Sequence, residues 1–121
     1  MARSYRELLV WQKAKALAVH TYKAPANFPR TEAFGLTSQI RRASVSVASN
    51  IAEGQGRLTC GEFRHFLGQA RGSLLEAETQ LAIALDLELL AQNAYEALEG
   101  ESYQVLGLLD RLLSSLSKKT A

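Results

Sequence analysis

The stretch Phe34-Gly-Leu-Thr-Ser-Gln-Ile-Arg-Arg-Ala-Ser-Val-Ser-Val-Ala-Ser-Asn-Ile-Ala-Glu-Gly54 decides how this chain folds. Leu36, Ile40, Ala43, Val47, either Asn50 or Ile51, and Gly54 recur at steps of three and four, the spacing that places side chains on one face of an α-helix. Arg42, Ser46, Ser49 and Glu53 form a contrasting polar stripe. Asn50 stands beside the apolar stripe. A buried amide without a partner costs about 1–3 kcal/mol, so Asn50 reads as a hydrogen-bonded structural residue. Ala43, Ser44, Ala48 and Ala52 are small enough for neighbouring helices to approach closely, which predicts cover on more than one side. The helix starts between Thr31 and Leu36 and is expected to end at Gly54-Gln55-Gly56, with a glycine in the left-handed conformation of a C-cap.

Upstream, Leu8, Trp11, Ala14, Ala18 and Tyr22 predict a first helix over about 5–23, with Val10 and Leu17 widening its apolar stripe. Trp11 is the candidate anchor of this helix, in the core or at an interface. Pro25 and Pro29 then force a connection, from which Phe28 is expected to plug one end of the core. Downstream, Thr59-Cys60-Gly61-Glu62 has the form of a capping box and opens a third helix. Its face runs Phe63, Leu67, Ala70, Leu74, Ala77, Leu81 and Ala84, and the pattern extends to about residue 90. Gly68 and Gly72 lie inside it at a cost of about 1 kcal/mol each relative to alanine, which predicts tight backbone packing there. Asn93 with Glu96 is the expected N-cap pair of a fourth helix over about 93–117, carrying Leu98, Val105, Leu109, Leu112 and Leu116.

With 121 residues, 47% of them hydrophobic, and both prolines confined to one short segment, the expectation is a single all-α domain over residues 1–121, with helices near 5–23, 34–54, 60–90 and 93–117. No stretch approaches the roughly 18 apolar residues of a spanning helix, so a cytoplasmic protein with no membrane partner is expected. Cys60 is the only cysteine, which excludes an intrachain disulfide and a thiolate zinc site within one chain.

The net charge of +2 hides a division along the chain. Residues 1–75 carry eleven basic against four acidic side chains, a net +7, while residues 76–121 carry three against eight, a net −5. Such asymmetry fits either a basic surface for nucleic acid or complementary faces within or between subunits. Arg41, Arg42, Arg57, Arg64 and Arg71 are the candidates for phosphate contact. No aromatic ladder is interleaved with them for stacking bases. The competing reading pairs these arginines with the acidic second half.

Catalytic signatures are missing. Glu62-Phe-Arg-His65 matches half of a di-metal Glu-x-x-His arrangement, but the second copy is lacking, so no metal and no cofactor are expected. Glu76 and Glu78 point in different directions and make no acid/base pair, while Glu76 and Gln80 share a face and are expected to make a polar contact between helices. There is no phosphate-binding loop and no nucleophile elbow. The chain is not expected to be an enzyme.

The run Phe34 to Gly54, followed by Glu62-Phe63, Phe66-Leu67, Gly72-Ser73-Leu74 and Glu76-Ala-Glu-Thr-Gln-Leu81, resembles the bacterial four helix bundle proteins also called 23S rRNA-intervening-sequence proteins. The resemblance covers nearly the whole chain from Leu8-Leu-Val-Trp11 onward, and is generic only in the fourth helix. It implies an up-and-down antiparallel four-helix bundle, assembled as a homopentamer and of unsettled cellular role. The fold is also similar to that of the accessory variability determinants of diversity-generating retroelements, in which a basic pentamer engages nucleic acid and a reverse transcriptase. Carried onto this chain, the contact residues would be the five arginines above, with Trp11, Asn50, Gly54, Gly72, Glu76 and Gln80 serving structure or assembly. The leading expectation is therefore a non-enzymatic oligomeric scaffold whose partners are further copies of itself and structured RNA or DNA. The alternative is a protein-interaction module that binds no nucleic acid and uses its arginines for subunit contacts.

Overall fold

The computed structural model describes residues 4–32 and 34–120. Among them the chain forms four α-helices and three short 3-10 turns, with no strand: α1 Leu9–Lys23, α2 Leu36–Gln55, α3 Cys60–Asp86 and α4 Gln92–Thr120. Each helix packs on the next and α4 returns to α1, closing a four-helix bundle. Named contacts set the directions. Gln80 meets Gln39 and Ser73 meets Ser46, so numbers fall along α3 as they rise along α2. Arg71 meets Asp110 and Glu78 meets Ser102, which makes α3 and α4 antiparallel as well. His20 of α1 lies 2.7 Å from Glu101 of α4 and ties the first helix to the last.

The helical periodicities place the core. Ile40, Val47 and Ile51 from α2, Leu67 and Leu74 from α3, Val105 and Leu109 from α4, and Val10, Ala14 and Leu17 from α1 are all buried. Each large aliphatic among them contributes about 1.5–3 kcal/mol by leaving water. Phe28 is buried in the same cluster, held by a turn in which its amide donates to the Pro25 carbonyl at 2.9 Å. Ser102 fills the gap in the α4 apolar series between Leu98 and Val105; it is buried, and its hydroxyl donates to Glu78 at 2.8 Å.

The helix ends differ from the sequence reading in instructive ways. Thr59 Oγ1 accepts from the Glu62 amide at 3.1 Å, so α3 opens as the capping pattern predicts. At the end of α2, however, no glycine is left-handed: the helix continues through Gly54 to Gln55, and Gly56 closes it at φ −78°. Gly54 instead lies where α3 comes closest. A Cβ there would stand 2.7 Å from the Cβ of Phe66 and 3.1 Å from the ring of Phe63. Helix α3 stops at Asp86, short of residue 90, because Glu88 turns left-handed at φ 61° and the amides of Leu89 and Leu90 both reach back to the Ala84 carbonyl. That turn carries Leu90 into the core. Asn93 lies inside the first turn of α4, one residue past its start, and its Oδ1 accepts from the adjacent Ala94 amide; Glu96 is bonded by Gln92. Gly68 and Gly72 are exposed, and a Cβ on either would meet nothing within 4 Å, so the expected tight packing is absent inside the subunit.

Candidate nucleic-acid interface and the α1–α2 groove

Three of the five candidate arginines are engaged within the subunit. Arg41 leaves α2 toward the end of α1, where its Nε donates to the Tyr22 carbonyl at 3.0 Å and its guanidinium lies 4.6 Å from the Tyr22 ring centre. A cation at the carbonyl end of α1 is favoured by the helix dipole, and the aromatic face adds to it. Arg57, in the turn between α2 and α3, pairs with Glu53 at 2.9 Å and covers Phe66 at 4.5 Å. Arg71 crosses from α3 to Asp110 on α4 at 2.7 Å, and this hydrogen-bonded carboxylate holds the guanidinium pKa above its ordinary value. Arg64 is half-buried, and its Nε is enclosed without a hydrogen-bond partner. Arg42 is exposed and makes no hydrogen bond or ion pair among the described residues. The five therefore spread over the ends and seams of the bundle.

The other singled-out residues lie mainly along the α2–α3 seam. Asn50 is half-buried and its amide donates to both the carbonyl and the hydroxyl of Ser46, one turn earlier; Ser46 Oγ in turn lies 2.9 Å from Ser73 Oγ. Gln80 is 7% exposed and its amide reaches Glu76 on its own helix at 3.3 Å and Gln39 on α2 at 3.5 Å, while its Oε1 is enclosed without a partner. Glu76 thus shares an amide within α3 and does not itself cross to another helix. Among the described residues no group of three or more His, Cys, Asp or Glu side chains could hold a metal ion, and no helix is long and apolar enough to cross a membrane.

A further feature lies on the surface. Between the outer faces of α1 and α2 runs an apolar groove of about 490 Å³, lined chiefly by Trp11, Ala18, Val19, Tyr22, Val45 and Ala52. Its lysines, Lys15 and Lys23, are exposed, and Lys15 Nζ stands 5.4 Å from the Trp11 ring centre. Trp11 itself packs partly against the core and is steadied by the edge of the Tyr5 ring at 5.0 Å. The sequence stripe on α1 merged two faces. Val10, Ala14, Leu17 and Thr21 point into the bundle, whereas Ala18 and Tyr22 look across the groove toward α2, Tyr22 remaining 47% exposed. The signal was present in the excess width of the α1 stripe, joined with the small residues Ala48 and Ala52 on α2.

A second, smaller pocket of about 140 Å³ lies between α3 and α4, where Tyr95 donates to Glu99 at 3.0 Å and Ser102 to Glu78. The Glu99 hydrogen bond, reinforced by burial, raises the Tyr95 phenol pKa above its ordinary value.

Comparison with known proteins places the fold. The chain shares 25% identity with a protein of unknown function from the S23 ribosomal protein family of Bacteroides thetaiotaomicron. That crystal structure superposes with a TM-score of 0.79 over 87% of this chain and 98% of the other. A search of the curated proteins finds no match. The family model described as 23S rRNA-intervening sequence protein matches residues 6–111, spanning all of α1, α2 and α3 and most of α4. The chain belongs to the 23S rRNA-intervening sequence protein family.

Proposed function

We propose that the protein is a non-enzymatic helical scaffold that acts by self-association in the cytoplasm, with the homopentamer implied by the sequence resemblance as its assembled form. One observation carries this reading: the exposed apolar groove between α1 and α2, where Trp11, Val19, Tyr22 and Val45 meet on one surface. Aromatic side chains in such an apolar groove, here Trp11 and Tyr22, are the type that anchors protein contacts. Light scattering on the eluting protein is expected to give a mass that is a multiple of 13.3 kDa. A single 13.3 kDa species across the micromolar range would overturn the reading.

A nucleic-acid role rests on a narrower base. Arg41, Arg57 and Arg71 already hold partners in the subunit and Arg64 is half-buried, which leaves Arg42 as the exposed, unpaired arginine of the set among the described residues. Binding through such a surface must weaken steeply with salt as condensed counterions cease to be released. Titration of the protein into structured RNA at 50 and 200 mM salt, with Arg42→Ala alongside, tests it. Absence of binding at low salt, or binding indifferent to salt and to that substitution, rejects it.

A further inference from the structure

Two exposed surfaces have no partner within the subunit. The groove between α1 and α2 is one. The other is the outward face of α3, where Gly68, Gly72, Leu75, Thr79 and Ile83 follow the helical step and are all exposed. The two glycines lie well inside a 27-residue helix, where each weakens helix formation relative to alanine. No neighbour in the subunit accounts for them, since a side chain at either position would meet nothing within 4 Å. Bare backbone of this kind lets another chain approach closely.

The two surfaces are opposite in charge. Lys15 and Lys23 border the groove and form no ion pair among the described residues. Glu76 and Asp86 are exposed on the outward side of α3 and form no ion pair there either. At 1.5 Å per residue the lysines stand about 12 Å apart along α1 and the carboxylates about 15 Å apart along α3, a difference that flexible lysine side chains span. The apolar content matches too: Leu75 and Ile83 are two turns apart on α3, about 12 Å, as are Trp11 and Val19 on α1.

We infer that the outward face of α3 of one copy seats in the α1–α2 groove of the next, with Glu76 and Asp86 against Lys15 and Lys23 and with Gly68 and Gly72 at the closest approach. The inference rests on the self-association reading above and names its two surfaces. Because groove and ridge are different parts of the subunit, the contact is head-to-tail. Each copy uses both surfaces, and the arrangement continues until the rotation closes a ring.

Charge reversal tests it. Lys15→Glu with Lys23→Glu, and separately Glu76→Lys with Asp86→Lys, are each expected to shift the light-scattering mass to the 13.3 kDa monomer while the helical circular dichroism is retained. All four substitutions in one chain restore complementarity and are expected to return the wild-type mass. Gly72→Gln, placed where added atoms meet nothing in the subunit, blocks the approach without touching charge and is expected to weaken assembly at least tenfold. A wild-type chain that is monomeric overturns both this pairing and the reading beneath it. A wild-type oligomer whose mass survives Gly72→Gln and both reversals, or a fourfold variant that stays dissociated, overturns the pairing alone.

Discussion

Replacing Gly54 by alanine is expected to destabilise the fold, against the ordinary preference of helices for alanine over glycine. The added Cβ would stand 2.7 Å from Phe66 Cβ, 3.1 Å from Phe63 Cδ1 and 3.3 Å from the Phe63 carbonyl oxygen. Carbon atoms rest at about 3.5–4.0 Å, so the closest contact lies about an ångström inside that range. Phe66 Cβ is fixed to the α3 backbone and no rotamer change moves it away. The helices must part, and overpacking of this kind costs about 1–3 kcal/mol. Gly54 stands one residue from the end of α2, so the alanine preference returns less than its full value of about 1 kcal/mol. The net loss is about 1–2 kcal/mol, or roughly 0.5–1 M in the urea midpoint at an m-value of about 2 kcal/mol/M. Gly100→Ala in α4 is the control, since its Cβ meets nothing within 4 Å, and it is expected to raise stability by up to about 1 kcal/mol. Urea unfolding of both variants followed by circular dichroism checks the opposite signs. A Gly54→Ala chain at least as stable as wild type would refute the close approach of α2 and α3.

Thr59→Ala removes the acceptor of the Glu62 amide at the start of α3 and is expected to cost about 1 kcal/mol, read from the same urea curves. Tyr95 is expected to titrate above the ordinary tyrosine value of 10.0, and Glu99→Gln to bring it down, both followed by tyrosinate absorbance. The sign of the linked stability follows. Because the folded state holds this proton more tightly than the unfolded chain, the contribution is complete below about pH 10 and is lost as pH rises through the folded-state value. Tyr95→Phe should flatten that alkaline loss, and a Tyr95 that titrates with the exposed tyrosines would contradict the geometry.

Four helices and most of their inward faces were legible from residue spacing alone. The reason is that burial imposes the 3.6-residue period directly on the sequence, as in the series Leu36, Ile40, Ala43, Val47 and in Leu67, Ala70, Leu74, Ala77. The capping threonine at 59 was equally readable, because its partner lies three residues away. What distance in the chain hides was decided by the tertiary structure. Gly54 reads as a helix terminator by its type, yet what it accommodates is Phe66, twelve residues further on in another helix. Arg41 and Arg71 fit either phosphate contact or pairing with the acidic half; the choice could not be read, because their partners, the Tyr22 carbonyl and Asp110, are nineteen and thirty-nine residues away. The α1 stripe could not reveal which of its apolar residues face the core and which face the groove, because a helix of fixed period can be rotated against its neighbours without changing its sequence pattern. Local hydrogen bonding and periodicity wrote the helices into the sequence, while the rotation of α1 and the meeting of α2 with α3 were fixed only when the four helices packed.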